Sequence, residues 1–214
     1  MYFTLFALFE AAILASSMSL DALAAGFAYG TNKTKIPMLS AFIINLICTG
    51  VTGLALLIGA ILKPYLPAGL TVALAFAILL TIGLIKLLDS ITKSIIRKHN
   101  HLSKEINGSL FNFKFVLNVY ANPEAADIDS SKSLSSSEAV LLAVSLSLDG
   151  IAVGFGAALV NINVAAVILW SLFTNVGFLL GGHLLGQKLS AKLSFNFSWL
   201  GGVALIALAV SKLV

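Results

Sequence analysis

The sequence predicts an all-α integral membrane protein with six transmembrane helices. They form two inverted-topology repeats of three, with a long cytoplasmic loop between helices 3 and 4. Three observations carry this reading. The 214-residue chain is 59% hydrophobic and only 10% charged, whereas a soluble domain carries about a quarter charged residues. Six apolar stretches reach the ~20 residues that cross a bilayer core. A shift of 128 residues lays residues 10–27 on 138–155 with the shared pattern E-A-x-x-L-A-x-S-x-S-L-D-x-x-A-x-G-F, 11 identities in 18 positions. Such self-similarity marks one unit used twice.

The six stretches are 3–29, 37–62, 67–88, 137–160, 164–186 and 196–213. Helices are expected throughout, because backbone groups in lipid must satisfy one another within the segment. The runs do not alternate as barrel strands would. The first stretch lacks a basic start, stays apolar for more than twenty residues and embeds Glu10 and Asp21, so it reads as a retained helix rather than a signal peptide. Gly50 and Gly59 of the second stretch share a nine-residue spacing with Gly177 and Gly186 of the fifth, and Lys86 of the third matches Lys212 of the sixth. The division is therefore 1–88 for repeat 1, 89–136 for the loop and 137–214 for repeat 2. A three-span unit used twice enters the membrane from opposite sides, as in many secondary transporters.

Charge sets the orientation. Connections 1–2, 3–4 and 5–6 hold Lys33, Lys35, Lys93, Arg97, Lys98, Lys104, Lys114, Lys132, Lys188 and Lys192, against Lys63 and Lys212 on the other side. The positive-inside rule then puts those connections in the cytoplasm and both termini outside. The net charge of +4 thus serves topology, and no nucleic-acid partner is implied. Cys48 is the only cysteine, which excludes an intrachain disulfide; it is read as an inert small hydrophobe. In the loop, Phe111, Phe113, Phe115, Leu117 and Val119 recur at every second position, which predicts a short half-buried strand ended by Asn122-Pro123.

The chemistry lies in the repeated motif. Glu10, Ser17 and Asp21 are spaced 0, 7 and 11, as are Glu138, Ser145 and Asp149. On a helix each set falls within about 20° and spans about 16 Å. Carboxylates deep in a span are costly and face a partner or a water-filled path. Facing aspartates suit a hard divalent cation, with oxygens from Ser17, Ser19, Ser145, Ser147, Asn45 and Asn175 completing the shell. Thr49 and Thr174 are weaker candidates. The competing structural reading pairs the aspartates with Lys86 and Lys212. Gly26 and Gly154, four residues after Ala22 and Gly150, predict close helix packing, and His183 is expected to be a packed or interfacial histidine. No cofactor is called for, and a homodimer is compatible with the chain without being demanded by it.

A second candidate site is Asp127-Ile-Asp129-Ser-Ser131-Lys-Ser133-Leu-Ser-Ser-Ser-Glu138. It offers oxygens at positions 1, 3, 5, 7, 9 and 12 of a calcium loop, with Lys132 where Gly is wanted at position 6. The structural alternative is a Ser-rich linker whose Ser135 or Ser136 caps the fourth span, with Glu138 in its first turn.

The paired S-L-D-x-x-A-x-G-F motifs in a duplicated six-span chain resemble the MntP-type manganese efflux family, which is related to LysE-like exporters. Asn122-Pro123-Glu124-Ala125-Ala126-Asp127-Ile128-Asp129, leading into Glu138, resembles more narrowly its YtaF-type sporulation membrane protein branch. The resemblance implies a multi-pass exporter of divalent cations in the bacterial inner (plasma) membrane, not an enzyme, with the motif aspartates at Asp21 and Asp149. Manganese follows from the resemblance, calcium from the loop. With no G-x-x-x-x-G-K-[ST] motif, transport would run on a gradient or the membrane potential, and proton exchange at the same aspartates is a natural coupling. Two rivals remain: a non-transporting sporulation protein with a calcium-sensing loop, and an intramembrane aspartyl protease.

Overall fold

A computed structural model describes residues 2–88, 113–160, 162–188 and 198–211. Its named elements are helical: α1 (Tyr2–Thr31), α2 (Met38–Leu62), α3 (Ala68–Leu87), α4 (Phe113–Ala121), α5 (Ser136–Leu146), α6 (Leu148–Ala158), α7 (Val164–Lys188) and α8 (Ser198–Ser211), with short 3-10 turns at Lys63–Tyr65 and Pro123–Ala126. Among the described residues, four helices are long and apolar enough to cross a bilayer: Leu8–Thr31, Met38–Tyr65, Gly69–Leu87 and Val164–Lys188. A fifth span results if α5 and α6 are taken together. Gly202–Ser211 is apolar but shorter.

Two expectations are corrected here. The fourth stretch is not one straight helix but bends by 44° between α5 and α6. At the break, Ser145 Oγ donates to Leu141 O and Ser147 Oγ to Val144 O, and such back-bonding competes with the helical ladder. The first motif has serines at the matching places and runs through unbroken, but it carries Ala22 where the second has Gly150, a weaker helix residue.

The second correction concerns 113–121, expected to be extended. It is α4, and it buries Val116 and Val119, one helical turn apart, against Ala139, Leu142, Ala143 and Leu146. A short apolar run fits either period, and here the surface it packs on decided. Phe111 lies outside the described residues.

The main helix pairings run between the halves of the chain. α1 packs on α7, α2 on α5 and α6, and α3 on α8. Glycine makes the tightest of these crossings. A Cβ on Gly26 or Gly30 would strike Leu179 O or His183 O, and one on Gly182 or Gly186 would strike Leu23 O or Phe27 O. The α2–α6 crossing is similar, with Gly59 against Phe155 O and Ala158, and Gly154 against Thr52 O and Ala55. The close packing expected at Gly26 and Gly154 is therefore present, whereas Gly50 and Gly177 face open space.

The buried apolar residues form two main clusters along the bundle. Ala11 and Leu14 of α1 belong to one, with Leu56, Leu79, Val153 and Leu205. Ala22, Ala25 and Tyr29 belong to the other, with Ile44, Val119 and Leu142. The stretch 122–135 is docked on the second cluster: Tyr29 Oη donates to Pro123 O at 2.6 Å, Ser40 Oγ donates to Leu134 O at 2.6 Å, and Lys35 forms a parallel bridge with Ser133.

Candidate functional site

Asp21 of α1, Asp149 in the first turn of α6 and Lys86 in the last turn of α3 meet in the interior. Lys86 Nζ lies 2.9 Å from Asp21 Oδ2 and 2.6 Å from Asp149 Oδ2, with side-chain exposures of 2%, 5% and 9%. The same ammonium donates to the carbonyl of Ser17 at 3.3 Å. Along α1 this ion cluster falls between the residues of the two apolar clusters. Asp149 Oδ1 accepts the N–H of Gly150 at 2.9 Å, an anion at a helix start where the dipole favours it. Asp149 Oδ2 meets the Lys86 ammonium as an ion pair and has no further hydrogen-bond partner among the described residues.

A polar line crosses beside the cluster. Ser19 Oγ donates to Asn175 Oδ1 at 2.6 Å, Asn175 Nδ2 donates to Thr49 Oγ1 at 3.2 Å, and Thr49 Oγ1 donates to Asn45 Oδ1 at 3.3 Å. Thr174 Oγ1 is 2.9 Å from Ser19 Oγ. A small cavity of about 20 Å³, lined by Met18, Cys48, Ser147, Asp149 and Asn175 among others, has room for about one water.

The expected residues thus separate into three groups. Asp21 and Asp149 converge, and both pair with Lys86; Lys212 lies outside the described residues. Asn45, Asn175 and Thr49 stand alongside. The polar stripe expected in the second half is interrupted by the bend. Ser145 Oγ faces α4, donating to Val116 O at 3.1 Å, and Glu138 belongs to the loop corner. Ser17 turns its hydroxyl back to Ile13 O and Leu14 O, so only its carbonyl reaches the cluster. Glu10 is buried further up α1. His183 Nε2 is 2.9 Å from Thr34 O, an interfacial role as expected. Lys86 is the site member that the residue pattern offered only as a structural counter-charge; its signal was a lone cation near the end of an apolar helix.

The loop corner is built by a capping box. Ser135 caps α5, Glu138 Oε2 accepts from Ser135 N and Oγ at 2.8 and 2.7 Å, and Glu138 Oε1 accepts from Ile128 N at 2.7 Å. Asp127 accepts from Ser131 N and Lys132 N at 3.1 and 3.2 Å, and Asp129 accepts from Ser131 N at 2.9 Å. Hydrogen bonds from Ser131, hydroxyl and backbone, hold the Asp129 carboxyl below its usual range. Carboxylate oxygens of Asp127, Asp129 and Glu138 lie within 4.8 Å of one another. Ser131 Oγ donates to Ser133 O at 3.0 Å. Lys132, at the position that calls for glycine, has φ 58°, the left-handed turn glycine usually supplies.

Fold and site together define a multi-pass helical membrane protein whose two halves meet at a buried carboxylate–lysine cluster. The chain matches the family model "Mntp: Putative manganese efflux pump" over residues 68–213. It is 31% identical over 207 residues to the "Probable sporulation protein YtaF" of Bacillus subtilis (strain 168), covering 94% of this chain and 97% of that protein. No solved structure matches. The chain belongs to the Mntp family, a family of transporters rather than enzymes.

Proposed function

We propose that the protein exports a divalent metal cation, manganese foremost, through a site near the bilayer midplane formed by Asp21 and Asp149. The carrying observation is that these two aspartates, one from each copy of the repeated motif, converge on a single ammonium in the interior. Two buried carboxylates with amide and hydroxyl oxygens from Asn175, Asn45 and Ser19 nearby are a hard-oxygen donor set of the kind manganese takes. Family membership supports transport and the choice of manganese.

The same reading takes the chain as six spans in two inverted repeats. It is supported by the reciprocal pairing of α1 with α7 and of α6 with α2, helix 1 of each repeat on helix 2 of the other. The break ahead of Asp149 is of the type that transporters place at their sites. The turn after α1, the stretch 122–135 and the end of α7 meet on one side, through the Lys35–Ser133 bridge and the His183–Thr34 contact. That side carries Lys33, Lys35, Lys132 and Lys188, which supports a cytoplasmic location for it and external termini.

The test is manganese uptake into inside-out vesicles. Wild-type protein should accumulate manganese, and Asp21→Asn and Asp149→Asn should each abolish accumulation while still inserting. Normal uptake by either neutral variant would refute the shared site.

A second reading is favoured by one observation, the left-handed Lys132 beside three gathered carboxylates: the 127–138 loop binds calcium, with Ser131 and Ser133 contributing oxygens. Calcium should then raise the melting temperature of the wild type and leave that of Asp127→Ala unchanged.

A further inference from the structure

The paired carboxylates are bridged by a charge that the chain itself supplies. Lys86 Nζ has three oxygens around it, from Asp21 at 2.9 Å, Asp149 at 2.6 Å and Ser17 O at 3.3 Å. Resting on the exporter reading above, we propose that the Lys86 ammonium is a tethered counter-ion that occupies the cation's position in the empty transporter and withdraws when the cation binds.

Space requires the exchange. A divalent cation stands about 2.0–2.6 Å from its oxygens, so metal and ammonium cannot both lie between the same two Oδ2 atoms. Charge favours it as well, because an ammonium and a divalent cation held against the same two carboxylates would repel each other in a medium that screens them poorly. Conversely, an empty site without Lys86 would lose the positive charge that bridges its two buried carboxylates.

The tether permits the movement. Lysine is a point charge on a flexible four-carbon stem. Lys86 is in the last turn of α3, which ends at Leu87, so the terminal carbonyls of that helix offer the displaced ammonium a second favourable position. The arrangement also gives the empty carrier a positive charge between its two carboxylates for the return step.

Competition of this kind reduces apparent affinity to the fraction of its intrinsic value given by the share of sites that Lys86 leaves open. Lys86→Met should therefore bind manganese about tenfold more tightly or better, read as a larger manganese-induced rise in melting temperature of the purified full-length protein. The same variant should export more slowly, because release is no longer assisted. Lys86→Arg keeps the charge and should bind no more tightly than wild type. If Lys86→Met does not fold, Lys86→Gln is read the same way.

Equal or weaker manganese binding by the neutral variants, with wild type active in vesicles, would overturn the counter-ion role and leave the exporter standing. Wild-type vesicles that move no manganese would instead remove the exporter reading itself.

Discussion

Ser19 Oγ donates a 2.6 Å hydrogen bond to Asn175 Oδ1, joining the first copy of the motif to the α7 helix of the other half. Asn175 also donates to Thr49 and borders the cavity beside Asp149. Asn175→Ala removes both bonds, although Ser19 keeps Ala15 O and Thr49 keeps Asn45. The expected loss is about 1–2 kcal/mol, seen as a lower melting temperature in detergent. Slower manganese uptake should accompany it, since the amide fixes the wall of the site.

The glycines divide sharply. Gly182→Ala would press its methyl into Leu23 O, whereas Gly177→Ala meets nothing within 4 Å, and both lie in α7. The first should cost about 3 kcal/mol or more, because a backbone atom must shift. The second should be neutral or gain about 0.5–1 kcal/mol from helix propensity. Thermal stability of the two variants, followed by size-exclusion of the heated protein, checks the contrast.

Glu138 anchors the corner rather than the ion cluster. Glu138→Ala removes half of the capping box and the acceptor of Ile128 N, at an expected cost of about 1–2 kcal/mol. Proteolysis within 127–135 should become faster, while manganese transport by the intact protein stays close to wild type.

Acid should loosen the same loop. Asp129 is held below its usual range by Ser131, so its contribution is complete above the unfolded carboxylate value of about 3.9. That contribution fades as pH falls through the lower folded value. Hydrogen exchange at 127–135 should rise in that acid window, and Asp129→Asn should flatten the rise.

Much of this was readable in the residues. Continuous apolar runs located α1, α2, α3 and α7, because length alone decides what can span a bilayer. Duplication singled out Asp21 and Asp149, and Ser135 with Glu138 announced their cap. The bend at Ser147 was hidden, since the matching serines leave α1 unbroken one repeat earlier, where Ala22 stands in place of Gly150. Helix α4 was hidden because odd-numbered apolar residues disguised the Val116–Val119 face. The convergence of Lys86 on both aspartates depends on how α3 packs on α6 and α8, which no local spacing encodes.

The cross-half pairing has a consequence for biogenesis. As the first three helices leave the ribosome, Gly26 and Gly30 have no ridge to accept, because their mates at Leu179 and His183 have not been synthesised. Nor has Asp149, so a chain stopped at residue 88 presents Lys86 with one carboxylate of its two. Such a fragment should be degraded faster than the full chain until its other half arrives. Supplied as two separate polypeptides, the halves should find each other, and an ancestor of half the length could have matured only by meeting a second copy of itself.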